Sequence, residues 1–445
     1  MDTSKIDIND NFKRVEELIK LDSPFIFLTG RAGTGKSTCI DYIKEVCDKQ
    51  YAVLAPTGLA ALHVGGQTIH SFFKFPAVPP DPSSLYRLKE KNRKLIERLE
   101  LLIIDEISMV RADLLDLVDA ALKLNRRSKK PFGGVQILAV GDLFQLPPVI
   151  ASEQERIMLA RKYESQFFFS ANCMQDIDYD VVELETIYRQ TDNHFISILE
   201  SIREGEDYEE YLKELNDNCV GRQLDGDAVV LTTTNLMAEN INNNCIAKLS
   251  GEPFIYNAKA SGNFNINQQE RLPSPSVLIL KKGAQVMFTK NDPDGEWMNG
   301  MLAHVVTPTK NSVVVELSET KEPRVVKPVT WETYTYEYDE KTDRIIPTVS
   351  GDYKQIPLKL AWAATIHKCQ GLTLERSIVD FGNRAFAAGQ AYVALSRCRT
   401  MEGLSLRRPI RPNDIFVDQQ VKDFYATVRK LSGSKVRNKK QLGLF

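Results

Sequence analysis

The sequence predicts an α/β protein with two parallel-sheet cores in tandem, and three observations carry that expectation. Short, continuously apolar runs recur between longer mixed segments. Runs of that kind are strands covered on both faces of a parallel sheet. Asp or Gly follows several of them, where α/β folds place their ligands. The pattern then restarts in the second half of the chain, and 445 residues suffice for about two to four domains.

Taken in order, Phe25-Ile-Phe-Leu, Tyr51-Ala-Val-Leu, Leu101-Leu-Ile-Ile and Val135-Gln-Ile-Leu-Ala-Val are strands of the first core. The second core is expected to begin near Val181 and to continue through Ala228-Val-Val-Leu and Ser377-Ile-Val-Asp-Phe. Two insertions interrupt the cores. Residues 74–98 open on Phe75-Pro-Ala-Val-Pro-Pro-Asp-Pro, which can be neither helix nor central strand, and continue into a charged segment, Leu85 to Glu100. Residues 301–352 alternate apolar and polar side chains in Val305-Val, Val313-Val-Val-Glu-Leu and Thr330-Trp-Glu-Thr-Tyr-Thr-Tyr-Glu-Tyr. With turn residues between them, these predict a small antiparallel barrel. The expected division is therefore 1–178 for the first core, 179–300 with 353–412 for the second, 301–352 for the barrel, and 413–445 for a C-terminal helix and basic tail.

Composition bounds the function. A formal net charge of −2 argues against a uniformly basic surface that coats nucleic acid, but leaves room for a basic groove on a neutral body. The seven cysteines are scattered without C-x-x-C spacing, which reads as free thiols in a reducing compartment and suggests no zinc site. Met1 to Lys20 has neither the apolar stretch of a signal peptide nor the acid-poor character of a transit peptide. No apolar run approaches the ~18 residues of a membrane span. The expected location is cytoplasmic, in association with the nucleoid.

The chemistry starts at Gly30-Arg-Ala-Gly-Thr-Gly-Lys36-Ser37, which fits G-x-x-x-x-G-K-S/T between a strand and a helix. Its backbone N–H groups, through Gly33, Thr34, Gly35 and Thr38, would wrap the phosphates of ATP. Lys36 would reach the β- and γ-phosphates, and Ser37 would hold Mg²⁺. Leu101-Leu-Ile-Ile-Asp105-Glu106 is a buried strand ending in two carboxylates. Asp105 suits the Mg²⁺ and Glu106 the attacking water. In Gly141-Asp-Leu-Phe-Gln145-Leu-Pro-Pro, Gln145 either touches the γ-phosphate or caps the loop before the prolines. A phosphate-binding loop alone would also serve a kinase, a GTPase or a transporter ATPase. No N-K-x-D guanine-reading motif occurs, which disfavours the GTPase. The second core carries Tyr188-Arg189-Gln190 and Val393-Ala-Leu-Ser-Arg397. Arg189 and Arg397 suit arginine fingers acting within one chain, or they are surface ion-pair partners.

The whole ordered string resembles the Pif family of superfamily 1B DNA helicases, relatives of RecD and Dda. The matches are Gly30–Thr38, Ala55-Pro-Thr-Gly-Leu-Ala-Ala, Gly66-Gln-Thr-Ile-His-Ser-Phe, Ile104-Asp-Glu-Ile-Ser-Met, Pro131-Phe-Gly-Gly-Val-Gln through Gly141-Asp-Leu-Phe-Gln-Leu-Pro-Pro, Ile187-Tyr-Arg-Gln, Ala364-Thr-Ile-His-Lys-Cys-Gln-Gly-Leu-Thr and Ala391-Tyr-Val-Ala-Leu-Ser-Arg. They run from about residue 25 to 405. Asp119 to Lys130 departs from the family pattern.

The resemblance implies two RecA-like cores, a wedge at 74–98 and an SH3-like barrel at 301–352. It implies ATP hydrolysis with 5′-to-3′ movement on single-stranded DNA, and unwinding of duplex, G-quadruplex or RNA–DNA hybrid by a monomer. Gln145, Arg189 and Arg397 would sense the γ-phosphate. Thr57, Gly58, His70, Phe72, Thr234, Thr365, His367 and Lys368 would line the DNA track, with Gln370 and Gly371 coupling it to the nucleotide. Phe72, Phe73 and Phe75 would stack on a base, or pack the insertion onto the core. Trp331, Tyr334, Tyr336 and Tyr338 are expected to stabilise the barrel. One departure concerns adenine: where the family has a glutamine near the N-terminus, this chain has Phe12 in Ile8-Asn-Asp-Asn-Phe12, leaving Asn11 or a backbone group to read the base. An RNA unwinder, or a nucleotide-gated binder that grips a strand without unwinding, are the competing readings.

Overall fold

The computed structural model describes residues 8–76, 85–150, 152–264, 266 and 272–430. The first core is a parallel sheet of six strands: β1 (Phe25–Gly30), β2 (Tyr51–Ala55), β3 (Gln67–Thr68), β4 (Leu101–Ile104), β5 (Gln136–Val140) and β6 (Asp180–Leu184). Their order is β3-β2-β4-β5-β1-β6. Every residue of β1, β4 and β5 is buried, as continuous apolar strands require when both faces are covered. Alternation splits β1 between two layers: Phe25 and Phe27 join one cluster, Ile26 and Leu28 the other. The second cluster receives Phe12, Val15, Leu18 and Ile19 from α1 (Asp10–Lys20) and Cys39, Ile40 and Ile43 from α2 (Lys36–Val46).

The pairing of β6 corrects the expected boundary between 178 and 179. It lies parallel to β1, from Ile26↔Asp180 to Gly30↔Leu184, so Val181 belongs to the first sheet and not to the second. A five-residue strand such as Asp180-Val-Val-Glu-Leu184 carries no information about which sheet it joins. Pairing here satisfies the free edge that β1 would otherwise present beside the phosphate loop.

The second core is a four-stranded parallel sheet. It starts with β7 (Val229–Thr232) and resumes after a long antiparallel excursion. That excursion comprises β8 (Phe254–Asn257), β9 (Lys259–Gly262), β10 (Val277–Leu280), β11 (Gln285–Phe288), β12 (Leu302–Pro308), β13 (Val313–Leu317), β14 (Pro323–Val326), β15 (Val329–Asp339), β16 (Arg344–Gln355) and β17 (Leu358–Leu360). The core then closes with β18 (Ala363–Thr365), β19 (Ser377–Asp380) and β20 (Leu404–Leu406), in the order β18-β7-β19-β20.

The antiparallel strands that partner residues 301–352 thus begin well before Met301. One sheet runs β14-β13-β12-β11-β17, another β15-β16-β9, and a third β10-β8. One apolar core unites the first and third of these: Tyr256, Leu278 and Val286 pack with Ala303, Val305, Val315 and Leu358. Strands β8 to β11 have four residues each, too few to show a period in sequence.

The β15–β16 hairpin leaves this unit and lies against the first core. There the charged segment after the Pro-rich run forms α5 (Glu90–Arg98), while residues 77–84 of that run lie outside the described residues. Lys91 pairs with Glu337 and Arg98 with Asp343, and Tyr336 Oη accepts a hydrogen bond from the Val53 N–H at 2.9 Å. Tyr336 is therefore buried in the first core's cluster and pins the hairpin to it. The helix Gln419–Lys430 also returns to the first core, where Tyr425 stacks on Phe144 at 4.8 Å; the basic tail beyond it is outside the described residues.

Candidate nucleotide site and single-strand track

The carboxyl ends of β1, β4 and β5 converge where an open parallel sheet places its ligands. After β1 the chain turns through Gly33 (φ +80°) and Gly35 (φ +89°) into α2. That helix has no side-chain cap, so its first N–H groups stay free for phosphate. Lys36 Nζ donates to the carbonyls of Gly30 at 2.7 Å and Arg31 at 2.8 Å. Burial depresses the Lys36 pKa, while Asp142 and Glu106 oppose the shift.

The loop lies directly against the second half of the chain: a Cβ on Gly33 would come within 2.4 Å of the Arg189 Cβ. Between the two halves is a cavity of about 620 Å³ lined by Phe12, residues 32–38, Glu106, Gln145, Tyr188, Arg189, Gly371, Thr373, Arg397 and Arg399. The structure therefore brings Gly33, Thr34, Gly35, Lys36, Ser37, Thr38, Glu106, Gln145, Arg189, Gly371 and Arg397 together around one space.

Glu106 follows β4 in the left-handed region, φ +50°. A bulky residue holds that conformation only where its surroundings impose it. Its carboxylate accepts a hydrogen bond from Gln370 Nε2 at 3.2 Å, and the same amide reaches Gln145 Oε1 at 3.1 Å. Gln370 thus ties the second core to two residues of the first. Burial, and then the charge of Asp105, push Glu106 up to about 7. Burial likewise lifts Asp105 to about 6.

The two arginines differ. Arg189 Nη2 donates to the Gly371 carbonyl at 2.9 Å, while its buried Nη1 has no partner among the described residues. An unsatisfied guanidinium N–H beside a phosphate loop fits an absent anion. Arg397, 1% exposed, donates to Val393, Cys369, Leu372 and Ser396, so most of its fork is already spent within the second core.

Asp142 has a partner that the sequence reading missed. It pairs at 3.0 Å with Arg203, both side chains being fully buried, and also accepts from Gln145 Nε2 at 3.3 Å. The Arg203 guanidinium lies 4.3 Å from the Phe144 ring. Neighbouring Glu200 pairs with Arg31 and Glu204 with Arg429, so three charges hold one helix, Asn193–Glu204, to the phosphate loop, to the loop after β5 and to the C-terminal helix. The available signal was an arginine directly after Ile198-Leu199 and Ile202, on a face otherwise apolar. Tyr392, whose hydroxyl accepts from the Ala32 N–H at 3.0 Å, had no signal of its own.

Phe12 lines the nucleotide cavity near Gly35, as does Tyr188. Asn11 is not free to read a base, because its side-chain amide donates to the Glu183 carbonyl at 3.2 Å.

The candidate track residues fall into two groups. Thr57 caps α3 (Gly58–His63) and Thr234 caps the helix Asn235–Lys248, each through its hydroxyl; Gly58 has nothing within 4 Å of a Cβ position. His367 stacks at 6.4 Å on Phe386, Lys368 lines a second cleft, and His70 packs edge-on against Phe75. Thr365, 5% exposed, accepts from the Lys368 N–H and shapes the turn. Phe72 differs from its expected place at the strand: it is 5% exposed and packs on Phe73 and Tyr336, so its ring faces the core beneath the docked hairpin. Phe73 is buried beside it.

Residues 7–213 match the family model described as PIF1-like helicase. The chain is 34% identical over 406 residues to the ATP-dependent DNA helicase Pif1 of Bdellovibrio bacteriovorus, covering 90% of this chain and 88% of that protein. Among solved structures, Pif1 from Bacteroides sp in complex with ADP-AlF4 aligns with a TM-score of 0.89 at 35% identity, over 96% of this chain and 98% of that one. Bacteroides Pif1 bound to ssDNA aligns with a TM-score of 0.69 at 34% identity, over 97% and 99% of the two chains. At nearly equal identity and coverage, the chain superposes less well on the ssDNA-bound form than on the ADP-AlF4 form.

Proposed function

Since the chain belongs to the PIF1-like helicase family, we propose that it is an ATP-dependent DNA helicase that hydrolyses ATP between its two RecA-like cores and moves 5′ to 3′ along a single strand. One observation carries the hydrolytic part: Gln370 of the second core bonds both Glu106 and Gln145 of the first, so groups suited to water activation and γ-phosphate sensing are joined across the cleft. A passive strand-gripping protein has no use for that arrangement.

The roles follow from placement. The α2 N-terminus and Lys36 bind phosphate, and Glu106 orients and deprotonates the attacking water. Arg189, with its unpaired N–H, meets the charge on the transferring phosphoryl group. Arg397 holds the segment that carries Gln370 and Gly371. Ser37 and Asp105 are hard oxygen donors that suit Mg²⁺, and no cluster of three or more His, Cys, Asp or Glu competes for it among the described residues. Bound there, Mg²⁺ would neutralise phosphate charge.

The proposed nucleic-acid substrates are single-stranded DNA and the duplex or G-quadruplex ahead of it, in replication, repair or recombination. Both halves of the cleft come from one chain, which supports action as a monomer. No described helix is long and apolar enough to cross a membrane. The barrel, through its hairpin on α5, would brace the wedge against the duplex. Steady-state ATPase with and without single-stranded DNA tests the reading: stimulation by DNA that Glu106→Gln abolishes supports it, and a rate that DNA does not raise contradicts it.

A further inference from the structure

The buried pair of Asp142 and Arg203 lies behind the nucleotide cavity, and neither side chain lines it. The two come from different cores. Asp142 follows β5 of the first core. Arg203 sits in the last turn of the helix Asn193–Glu204, whose Phe195, Ile198, Leu199 and Ile202 pack in the cluster of the second core. An ion pair withdrawn from water adds little stability over an apolar pair of similar size, so stability alone does not explain its presence. The pair does explain the orientation of Gln145, a cavity residue three positions after Asp142.

Asp142 divides its carboxylate. Oδ1 accepts from Arg203 Nη2 at 3.0 Å and from the Phe144 N–H at 3.2 Å. Oδ2 accepts from Gln145 Nε2 at 3.3 Å. With a guanidinium for its countercharge, the carboxylate offers acceptors only. Turning the Gln145 amide over would set its oxygen against Oδ2, two acceptors facing each other in a buried site. Asp142 therefore fixes the amide with its nitrogen inward and its oxygen toward the cleft, where Gln370 Nε2 donates to it at 3.1 Å. Arg203 in turn holds the carboxylate in place. Its guanidinium lies 4.3 Å from the Phe144 ring and 5.8 Å from that of Tyr425. Tyr425 is anchored by a 2.6 Å hydrogen bond to the hydroxyl of Thr29, the residue before the phosphate loop.

We infer that Asp142 and Arg203 are positioning residues for hydrolysis: they turn the oxygen of Gln145 toward the nucleotide, so that Gln145 meets the γ-phosphate through the attacking water and not directly. A phosphate oxygen is an acceptor and needs the nitrogen end of the amide, which Asp142 holds. A water O–H is a donor and needs the oxygen, which has a second lone pair beside its bond to Gln370. Gln370 also bonds Glu106 at 3.2 Å, so acceptor and base stand together around one water. Its oxygen forms the new bond to the γ-phosphorus and one of its protons passes to Glu106. The bond from the γ-phosphorus to the bridging oxygen breaks, and its electron pair leaves on ADP. Arg203 belongs to the second core, so Gln145 is set for this step only while the cores stand in this relation. The inference rests on the reading of this chain as an ATP-hydrolysing motor.

The test removes both charges and keeps the shape. Asp142→Asn combined with Arg203→Met still caps the Phe144 N–H and still lays an apolar stem on the rings, yet an asparagine amide can face either end of Gln145. Steady-state ATPase with saturating oligo-dT and the melting temperature are measured for this pair, for Gln145→Ala and for all three substitutions together. The pair should hold the melting temperature, as apolar replacements of buried ion pairs do, and should hold the KM for ATP. Its kcat should fall roughly tenfold or more, as loss of a charge-assisted hydrogen bond predicts. In a Gln145→Ala background the pair should lower kcat no further, because residues that act through one another are not additive. A wild-type kcat in the pair overturns the inference, and so does a loss that adds in full to that of Gln145→Ala. Gln145→Ala by itself decides the matter if the pair fails to fold. It should leave the affinity for a non-hydrolysable ATP analogue unchanged relative to that for ADP. Weakening of the analogue alone shows a direct phosphate contact and overturns the inference. An unsubstituted chain whose ATPase oligo-dT does not raise refutes the motor reading itself, before any variant is made.

Discussion

The contact between Tyr336 and Val53 should hold the barrel's hairpin in a position that hinders strand binding, so that loosening it strengthens the grip on DNA. Tyr336 is 9% exposed, and its hydroxyl is the acceptor for the buried Val53 N–H at 2.9 Å. Tyr336→Phe keeps the ring against Phe72 but leaves that N–H unpaired while the hairpin is docked. An orphaned buried donor costs about 1–3 kcal/mol. Once the hairpin lifts, water satisfies the group, so the cost falls only on the docked arrangement and shifts the equilibrium roughly 5- to 150-fold toward release. The whole chain superposes on Bacteroides Pif1 with ADP-AlF4 at a TM-score of 0.89 and on the ssDNA-bound form at 0.69, and the prediction is that the hairpin is among the parts that must move for a strand to bind. Anisotropy with an oligo-dT at fixed salt should therefore show Tyr336→Phe binding at least threefold more tightly, within the equilibrium shift above. Lys91→Glu, which breaks the pair with Glu337, should act in the same direction. Unchanged or weaker binding by Tyr336→Phe would refute the argument.

Three further outcomes follow from the nucleotide cavity. With Glu106 pushed up to about 7, the base is ionised only above that pH. The kcat/KM for ATP, which reports the free enzyme, should rise about tenfold per pH unit below it and level off above; a profile flat from about pH 6 to 8 would remove Glu106 from that role. Arg189→Ala should lower kcat by about 10³ or more with little change in melting temperature. Arg397→Ala should lower the melting temperature, because its guanidinium holds backbone carbonyls of the second core; calorimetry beside steady-state kinetics separates the two. With Phe12 and Tyr188 lining the cavity and Asn11 engaged elsewhere, the groups placed to meet a base are ring faces, which do not distinguish one base from another. The KM values for ATP and GTP should lie within roughly tenfold of each other, and a preference of about a hundredfold for ATP would show a base-reading group not identified among these residues.

The parts of this molecule legible in sequence are those set by local rules. Gly30 to Ser37 could be placed because glycine, lysine and serine are each required at fixed offsets by phosphate geometry, and β1, β4 and β5 because continuous burial writes continuous apolarity. What stayed hidden depends on distant partners. Val181 reads identically whether β6 pairs with β1 or with β7. Tyr336 reads as one more aromatic of a barrel strand, yet it pins that strand to another domain. Phe72 reads as a base-stacking ring until the hairpin is seen to cover it. Asp142 and Arg203 are 61 residues apart, and neither has a motif that names the other.

Strand separation with tailed duplexes bears most directly on the central claim, that this chain couples ATP hydrolysis between its cores to 5′-to-3′ movement. A labelled DNA duplex with a 5′ tail, one with a 3′ tail and a blunt one are each mixed with the chain, Mg²⁺ and ATP. The account predicts separation of the 5′-tailed duplex alone, absent without ATP, and abolished in Lys36→Ala and Glu106→Gln although Glu106→Gln still binds the tail. Separation from a 3′ tail, or DNA-stimulated hydrolysis with no separation of any duplex, would contradict it.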